Sequence, residues 1–532
     1  MAKQRRMSAE DLYRFEISTG ARLSPDGQQS VFSLQRVERE SQKKYSNLWL
    51  VSSQGGPPRQ FTYGDQVDTQ PGWSPDGRQI AFLSNRKNEK QFQLYLIPVD
   101  GGEARPLTDL KGEFGAFEWS PDGRQLVFNF RKTDQAELER EKDEQKKKLG
   151  VVERHITRLV YKADGSGFLP QERWRLWSVT IQNGRAKQLT EGDVYDEHSP
   201  HWSPDGQQIV FISNRSEDPD RTWDQDDLFL IPAGGGEMRR VETAPGPKEA
   251  PRFSPDGRWL AYYQSGGQHE VWRNRNLWVV PVKGEGEARN LTGGYDLQIG
   301  QETMNDIDKV QMMPPAWSPD SRRLSFQVSY HGDTLLQSID LEGNDLQTLI
   351  GERGVVGDFS YDRDQSRLAY LHGQPDSLAQ LWLCDIATGR TRKLTRFNQN
   401  IFRGVDLGEL EEVWFKGPDG NDLQGWILKP PGFEPGQKYP SILEIHGGPM
   451  AQYGHYFMHE FYFLAANGYV VYFCNPRGGQ GYGEAHTKAI YNDWGNGDYA
   501  DLMAWVDLVQ QKPYIDPARM GVTGGSYGGF MT

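Results

Sequence analysis

The stretch Ser74-Pro75-Asp76-Gly77-Arg78-Gln79-Ile80-Ala81-Phe82-Leu83 joins a turn sequence to a short apolar run. Proline presets φ for the first turn position, and aspartate followed by glycine suits the rest of a tight turn. The apolar run that follows has the composition of a buried strand. This unit recurs along most of the chain, and its recurrence decides the fold.

Seven copies of the turn sequence occur, five complete and two weaker. They begin at Ser24, Ser74, Ser120, Ser203, Ser254, Ser318 and Ser360. A second apolar run follows most copies, and then a third that carries Leu-Thr or a relative, as in Leu107-Thr108 and Leu394-Thr395. A period of roughly 40 to 50 residues with about four strands per unit is typical of a β-propeller. Seven units predict seven blades.

Two spacings between copies are longer than the rest. One lies between Gly257 and Ser318, and the other between Gly123 and Ser203. The second contains residues 134–148, a run of mixed charges in which acidic and basic side chains are four residues apart. Such spacing favours an exposed helix. We expect a solvated surface arm, with a substrate gate or a subunit contact as the alternatives.

Near its end the chain carries Gly524-Gly525-Ser526-Tyr527-Gly528, which matches the G-x-S-x-G pattern of a nucleophile elbow. Residues 519–523 predict a short buried strand that runs into this motif. Residues 498–511 predict an amphipathic helix ahead of it, ended by Pro513. The apolar face of that helix comprises Leu502, Trp505, Val506 and Val509. Strand, glycine turn and serine are the context that the motif requires, so we interpret Ser526 as a nucleophile rather than an inert turn residue.

A serine hydroxyl needs a histidine base and a carboxylate that orients the base. In this fold class both follow the serine in the chain. Six residues follow Ser526 here. The sequence therefore predicts an incomplete α/β-hydrolase domain in a fragment that lacks the acid and the histidine, and an inactive chain as given.

Upstream, the apolar run Ser441-Ile442-Leu443-Glu444-Ile445 leads into His446-Gly447-Gly448-Pro449. A glycine-rich turn after a central strand lets a backbone N–H face a substrate oxyanion. The expected donors are the N–H groups of Gly448 and Tyr527. The alternative is an ordinary loop.

Other features favour no cofactor and no metal. His455 and His459 are four residues apart on a predicted helix, but no glutamate follows the first as in H-E-x-x-H. The acidic residues 218–227 favour a solvated loop over a calcium site. The glycine-rich residues 477–483 lack the lysine of a phosphate loop, and a tight loop that lines the active site is the better interpretation.

The composition limits the classes of partner and the cellular location that we expect. The net charge of −13, without a basic stripe, argues against nucleic-acid binding. No run of about twenty apolar residues exists, and the polar residues 1–11 do not resemble a secretory signal. The two cysteines, Cys384 and Cys474, lie in different predicted domains, which favours a reducing cytoplasm over a disulfide.

Together, the Ser-Pro-Asp-Gly repeats, His446-Gly447-Gly448-Pro449, Asn475-Pro476-Arg477-Gly478 and the elbow resemble the prolyl oligopeptidase family of serine peptidases. The residues Arg158-Leu159-Val160-Tyr161-Lys162 are most similar to those of bacterial acylaminoacyl-peptidase relatives, and dipeptidyl-peptidase relatives share much of the pattern. The resemblance implies a propeller that restricts the site to short peptides. It also implies acyl-enzyme catalysis by Ser526, with Gly448 and Tyr527 as oxyanion donors.

The predicted architecture is an N-terminal helical segment (1–20), an all-β seven-bladed propeller (21–398) and the incomplete hydrolase domain (399–532). The alternative function is a propeller that serves as a binding scaffold and carries an inactive hydrolase remnant. Residue preference at the cleaved bond, exo- versus endopeptidase action and homo-oligomer formation stay open.

Overall fold

The computed structural model describes residues 4–267, 269–284, 286–307 and 311–532. In it each Ser-Pro-Asp-Gly sequence forms a turn that its own side chains close. In the second copy, Ser74 Oγ donates to Asp76 Oδ1 at 2.6 Å and accepts from the N–H of Gln79 at 2.9 Å. Gly77 has φ 72°, which glycine adopts without steric cost. The Ser74 hydroxyl, by donating to Asp76, holds the pKa of that carboxyl below its usual range.

The elements up to the end of the propeller are, in chain order, β1 (Arg5–Arg6), a 3₁₀ helix (Ala9–Tyr13), β2 (Ile17–Leu23), β3 (Gln29–Glu38), β4 (Lys43–Ser52), β5 (Arg59–Gln60), β6 (Asp68–Trp73), β7 (Gln79–Ser84), β8 (Gln93–Pro98), β9 (Arg105–Pro106), β10 (Gly112–Trp119), β11 (Gln125–Lys132), α1 (Gln135–Glu141), α2 (Glu144–Leu149), β12 (Lys162–Ala163), β13 (Gly167–Phe168), β14 (Arg175–Thr180), β15 (Ala186–Gln188), β16 (Glu197–Trp202), β17 (Gln208–Ser213), β18 (Asp227–Pro232), β19 (Arg239–Val241), β20 (Lys248–Phe253), β21 (Trp259–Gln264), β22 (Asn276–Pro281), β23 (Arg289–Asn290), β24 (Gln298–Ile299), β25 (Ala316–Trp317), β26 (Arg323–Tyr330), β27 (Asp333–Asp340), β28 (Gln347–Ile350), β29 (Val355–Tyr361), β30 (Arg367–Gln374), β31 (Ser377–Asp385) and β32 (Thr391–Lys393).

These strands form four-stranded antiparallel sheets that succeed one another along the chain: β2 to β5, β6 to β9, β10-β11-β14-β15, β16 to β19 and β20 to β23. Strands β24 to β32 form a nine-stranded sheet, whose two halves meet through one parallel residue pair, Thr334 with Val355. The predicted propeller is therefore present. Each four-stranded sheet is complete without a strand from a distant part of the chain.

The first and last sheets pack against each other and close the ring. Ala21 and Phe32 of the first sheet share one buried cluster with Ala369 and Leu381 of the last. The N–H of Leu23 also donates to Ser360 Oγ at 3.1 Å. Because every sheet thus has a neighbour on both faces, burial is continuous around the ring.

Indole groups connect neighbouring sheets at the inner strands. Trp73 Nε1 donates to the carbonyl of Arg22 at 3.0 Å, and Trp119 Nε1 to that of Gly72 at 3.1 Å. Trp317 donates in the same way to Arg252 at 3.1 Å. The indole N–H of Trp202 is buried without an acceptor among the described residues.

The Leu-Thr motif has a direct structural cause. In each of five sheets the threonine hydroxyl accepts the N–H of a leucine in the third strand, at 2.9 to 3.0 Å. The pairs are Thr62 with Leu48, Thr108 with Leu94, Thr190 with Leu176, Thr292 with Leu277 and Thr395 with Leu381. The hydroxyl thereby pairs a backbone donor that the outer strand leaves free.

One sequence prediction about the propeller region needs revision. The 3₁₀ helix is capped, since the N–H of Ser8 donates to Asp11 Oδ2 at 2.9 Å. However, the predicted boundary between residues 20 and 21 falls inside β2, so the first sheet begins at Ile17. Residues 1–3 lie outside the described part. The predicted surface arm is confirmed: it consists of α1 and α2, neither of which has a buried residue.

The remaining elements are α3 (Gln399–Arg403), β33 (Val405–Asp406), β34 (Glu409–Lys416), β35 (Asp422–Lys429), β36 (Tyr439–Ile445), α4 (His459–Ala466), β37 (Val470–Cys474), α5 (Glu484–Lys488), α6 (Gly497–Gln510), β38 (Ile515–Gly524) and α7 (Tyr527–Met531). Strands β34 to β38 form a five-stranded sheet in the order β34-β35-β37-β36-β38, with β36 parallel to both of its neighbours. The predicted helix is α6, and Leu502, Trp505 and Val509 are buried on its inner face. No helix in the described residues has the length and apolar character that crossing a membrane requires.

The prediction of a buried strand before Ser526 is wrong in one respect. Strand β38 is longer than expected, lies at the edge of the sheet and is mostly exposed. It pairs with β36 on one side, with Gly524 opposite Ile445. The predicted boundary between residues 398 and 399 lies between β32 and α3.

The two parts of the chain share a core. Met7 and Phe15, from the N-terminal segment, and Leu378, from the last propeller sheet, belong to one buried cluster with Trp426 and Phe457 of the hydrolase part. Strand β1 also pairs with β33. The N-terminal segment therefore fastens the propeller to the hydrolase part.

We expect Trp73→Phe to lower the free energy of unfolding by about 1 kcal/mol more than Trp202→Phe, because only Trp73 loses an indole hydrogen bond. Both indoles are buried, so the two variants remove similar apolar volume. Urea unfolding followed by circular dichroism measures the difference. Equal losses for the two variants would show that the indole bonds do not stabilise the ring.

Candidate active site

Ser526 occupies a strained turn between β38 and α7. Its φ is 56° and its ψ is −119°. A residue with a side chain rarely adopts such a conformation, which costs on the order of 1 to 3 kcal/mol and persists only when its surroundings impose it. Strained residues cluster at functional sites, so this geometry supports the interpretation of Ser526 as a functional residue.

The glycines of the motif make this turn sterically feasible. A Cβ on Gly524 would lie 2.6 Å from the carbonyl oxygen of Ile445, and a Cβ on Gly528 would lie closer still. At Gly525, by contrast, no heavy atom lies within 4 Å of the position of a Cβ. The first and last glycines of the motif are thus required by the contact with β36, and the second position is not.

The loop after β36 lies beside the serine. A Cβ on Gly447 would be 3.5 Å from Ser526 Cβ, and Gly448 has φ 120°. Tyr527 is the first residue of α7, so its N–H has no partner within that helix. The N–H groups of Gly448 and Tyr527 have no acceptor among the described residues. The structure therefore brings together the three residues that the sequence analysis selected.

His446 precedes this loop but does not act on Ser526 in the structure. Its Nδ1–H donates to the carbonyl of Gly447 at 2.7 Å, and its Nε2 is buried without a partner among the described residues. Burial lowers the pKa of His446, so the ring is neutral. In the described part of the chain, no histidine or carboxylate forms a hydrogen bond with the hydroxyl of Ser526.

An acidic residue of α6 anchors the elbow, which the sequence analysis missed. The hydroxyl of Tyr527 donates to Asp498 Oδ2, and the N–H of Gly495 donates to Asp498 Oδ1 at 2.9 Å. Burial raises the pKa of Tyr527, and so does the bond to Asp498. Trp494 packs edge-on against the Tyr527 ring at 5.2 Å. Helix α6 thus fixes the side chain that follows the serine.

One turn along the same helix, Asp501 fixes the glycine-rich loop that follows β37. Arg477 donates from Nε to Asp501 Oδ2 and from Nη2 to Asp501 Oδ1, each at 2.8 Å. Gly478 lies against Pro449, since a Cβ there would be 3.4 Å from Pro449 Cβ. The loop is therefore packed beside the His446-Gly447-Gly448 turn, as the sequence analysis expected.

The propeller also contributes to the site, through residues 302–307. Met304 Cε would lie 3.9 Å from a Cβ on Gly447. The N–H of Met304 donates to the carbonyl of Gln452 at 2.9 Å. Asp306 caps α4, since its two oxygens accept the N–H groups of His459 and Glu460 at 2.8 and 2.7 Å. This segment, which we call the strap, brings the side chain of Met304 next to the Gly447 turn.

The prediction that His455 and His459 lie on one helix is wrong. Helix α4 begins at His459, so His455 lies in the preceding loop. There His455 Nδ1 is 2.8 Å from Asp333 of the propeller, and its Nε2 is 3.3 Å from Glu412. Within the described residues, no group of three or more histidine, cysteine, aspartate or glutamate side chains is arranged to hold a metal ion.

Comparison with known proteins agrees with this geometry. Residues 455–532 match the Prolyl oligopeptidase family, and residues 4–154 match the TolB beta propeller domain. The chain is 33% identical over 531 residues to the uncharacterized peptidase YuxL of Bacillus subtilis, and the match covers 99% of this chain and 79% of that protein. The chain belongs to the prolyl oligopeptidase family.

Other members of the family and solved structures show the same relation. The chain is 28% identical to dipeptidyl-peptidase 5 of Porphyromonas gingivalis over 96% of this chain and 73% of that protein. It superposes on Pyrococcus horikoshii acylaminoacyl peptidase with a TM-score of 0.81 at 22% identity, over 99% of this chain and 76% of that one. The predicted propeller followed by a hydrolase-type domain is thus the fold of prolyl oligopeptidase relatives. As a member of this family, the protein is a serine peptidase.

We expect Gly524→Ala to destabilise this family member by about 1 to 3 kcal/mol and to impair the site, because the new methyl group overlaps the Ile445 carbonyl. Gly525→Ala is the matched control and should leave both properties unchanged, since its methyl group meets open space. Thermal unfolding and reaction of Ser526 with a fluorophosphonate probe measure the two effects. An equal loss in both variants would contradict the steric argument.

Proposed function

We propose that the protein hydrolyses short peptides through an acyl-enzyme on Ser526, as an acylaminoacyl- or dipeptidyl-type peptidase. One observation carries the proposal: a strained serine lies beside the Gly447-Gly448 turn and directly precedes Tyr527, and the N–H groups of Gly448 and Tyr527 have no acceptor among the described residues. That arrangement suits a tetrahedral intermediate, whose oxyanion needs preorganised donors. The names of the similar proteins, dipeptidyl-peptidase 5 and acylaminoacyl peptidase, support the substrate class.

In the proposed reaction the oxygen of Ser526 attacks the carbonyl carbon of the peptide bond while a base takes the hydroxyl proton. The N–H groups of Gly448 and Tyr527 stabilise the oxyanion. The proton then passes to the leaving amine, the acyl-enzyme forms, and water releases the acid by the reverse sequence. A histidine and a carboxylate perform the base chemistry in such sites. The proposal assigns neither role to a described residue.

Restriction to short peptides is supported by the position of the propeller. The strap places Met304 next to the Gly447 turn, so the propeller forms one side of the site. We count the nine-stranded sheet as two blades, β24 to β28 and β29 to β32, which makes a ring of seven. A closed ring over the site admits extended short chains and excludes folded proteins.

The scaffold alternative has no specific observation in its favour, because an inert remnant has no need of the strained Ser526 and the sterically demanding glycines. Cytoplasmic location stays a prediction. It is supported by Cys384 and Cys474, which are both buried as free thiols.

We expect Ser526→Ala to reduce kcat roughly 10⁶-fold, the scale found when the nucleophile of another serine peptidase is removed. Peptide binding should change little, since the hydroxyl contributes mainly to the transition state. Chromogenic dipeptide and acyl-amino-acid substrates measure the rates, and their ratio separates the dipeptidyl from the acylaminoacyl type. Turnover of the alanine variant near the rate of the unmodified protein would exclude Ser526 as nucleophile.

Tyr527→Phe is the control for the neighbouring position. It keeps the backbone N–H that we assign to the oxyanion and removes only the hydroxyl that donates to Asp498. The expected loss is within roughly tenfold, the scale of one hydrogen bond. A loss as large as that of Ser526→Ala would mean that the phenol itself takes part in the chemistry.

A further inference from the structure

One position of the propeller repeat faces the central channel. It lies two residues before the serine of each turn, on the innermost strand of its sheet. The side chains at this position in the first six units are Arg22, Gly72, Glu118, His201, Arg252 and Ala316, and all of them line the channel cavities. The serine and aspartate of each unit close its turn, whereas the residue at this position varies among arginine, glycine, glutamate, histidine and alanine.

The channel holds two adjoining cavities. The larger has a volume of about 1160 Å³ and is lined by Arg22, Glu118 and Arg252 among others. The smaller, of about 460 Å³, shares Glu118 and Arg252. Its remaining wall is largely aromatic and proline-rich, formed by Trp119, Phe253, Trp317, Tyr361, Pro204 and Pro255. The channel thus combines charged groups with an apolar wall.

Two guanidinium groups in this channel lack a carboxylate partner. Arg22 Nη1 donates to the carbonyl of Ala21 at 2.8 Å, and Arg252 Nη1 to that of Pro251 at 2.7 Å. Neither forms an ion pair with an acidic side chain in the described part of the chain. Burial lowers the pKa of Arg252. The neighbouring Glu118 raises this pKa, and repulsion by Arg22 lowers it. The two cations are therefore close enough to repel each other.

Glu118, which lies beside Arg252, forms no ion pair with either arginine. His201 Nδ1 accepts the N–H of Phe253 at 3.2 Å, so its proton is on Nε2, which lies 3.2 Å from Glu118 Oε1. Burial raises the pKa of Glu118 to about 7, and burial lowers the pKa of His201 well below its usual value. Near neutral pH the histidine is neutral and the Glu118 carboxyl is only partly ionised, so Glu118 offsets only part of the positive charge of the arginines.

Other carboxylates that line the larger cavity have their own partners. Glu249 Oε2 lies 2.7 Å from Arg275 Nε. Asp362 accepts from Ser366 Oγ at 2.6 Å and from the N–H of Arg367 at 3.0 Å. Asp226 also lines this cavity, and Lys248 beside it donates from Nζ to the backbone carbonyl of Asp226 at 2.7 Å. Arg363 is exposed and donates to the carbonyl of Pro75. Arg22 and Arg252 are thus two partly buried cations of the channel that have no carboxylate partner among the described residues.

We propose that the propeller channel binds the free C-terminal carboxylate of a short peptide through Arg22 and Arg252. A guanidinium group presents paired N–H donors that match the two oxygens of a carboxylate. The aromatic wall of the smaller cavity supplies apolar contact for the peptide side chains, which a small inorganic anion would not use. The inference does not depend on the role of Ser526, because it concerns binding remote from the elbow.

Calorimetric titration with N-acetyl-Ala-Phe as the free acid and as the amide tests the proposal. Both are measured in the Ser526→Ala background so that the peptide stays intact. We expect the acid to bind about tenfold more tightly than the amide, since only the acid carries the charge that the arginines recognise. In the double variant Arg22→Gln/Arg252→Gln, the affinity for the free acid should fall to the affinity for the amide.

Arg258→Gln is the matched control. Arg258 lies on the turn of the same sheet as Arg252 but is exposed and paired with Asp256, so this variant should keep the tenfold preference. The ratio of two affinities within one variant does not depend on the fraction of folded protein. Equal binding of acid and amide, or an unchanged preference in the double variant, would overturn the proposal. Inorganic phosphate that binds as tightly as the peptide acid would overturn the peptide assignment and leave a site for free anions.

Discussion

The carbonyl oxygen of Ile445 stands where a side chain on Gly524 or Gly528 would have to be. This contact holds the end of β36 against the start of α7, and so it sets the distance between the His446-Gly447-Gly448 turn and Ser526. A looser contact would separate the nucleophile from one of the two N–H donors that we assign to the oxyanion. The chemistry of the site therefore depends on a close approach of two backbones that only glycine permits.

The rest of the hydrolase part supports that contact from outside. Asp498 and Asp501 both lie in the first part of α6, and each fixes a different loop of the site. On the other side, Asp306 of the propeller caps α4, and Met304 closes on the Gly447 turn. The site is thus assembled from three directions, and propeller and hydrolase form one functional unit joined by a shared buried cluster.

The sequence predicted those parts that local rules determine. Ser-Pro-Asp-Gly turns and G-x-S-x-G elbows use their own residues to close, so their geometry is written in a few adjacent positions. Met304, Asp306 and Asp498 could not be found in this way, because their partners lie 29 to 154 residues away in the chain. The start of β38 was also misplaced, because an apolar run does not mark where its strand begins.

The propeller shows the same division within each unit. The turn serine donates to the aspartate of its own unit. The tryptophan that precedes this serine donates to a carbonyl of the preceding sheet. These side chains are therefore committed to the fold. The residue two positions before the turn serine contributes its carbonyl to the indole bond of the next unit, as Arg22 and Arg252 do. Its side chain is free to differ from unit to unit. Chemical variety in the channel, from arginine through glutamate and histidine to glycine, therefore arises at the one inner position that the repeat leaves unconstrained.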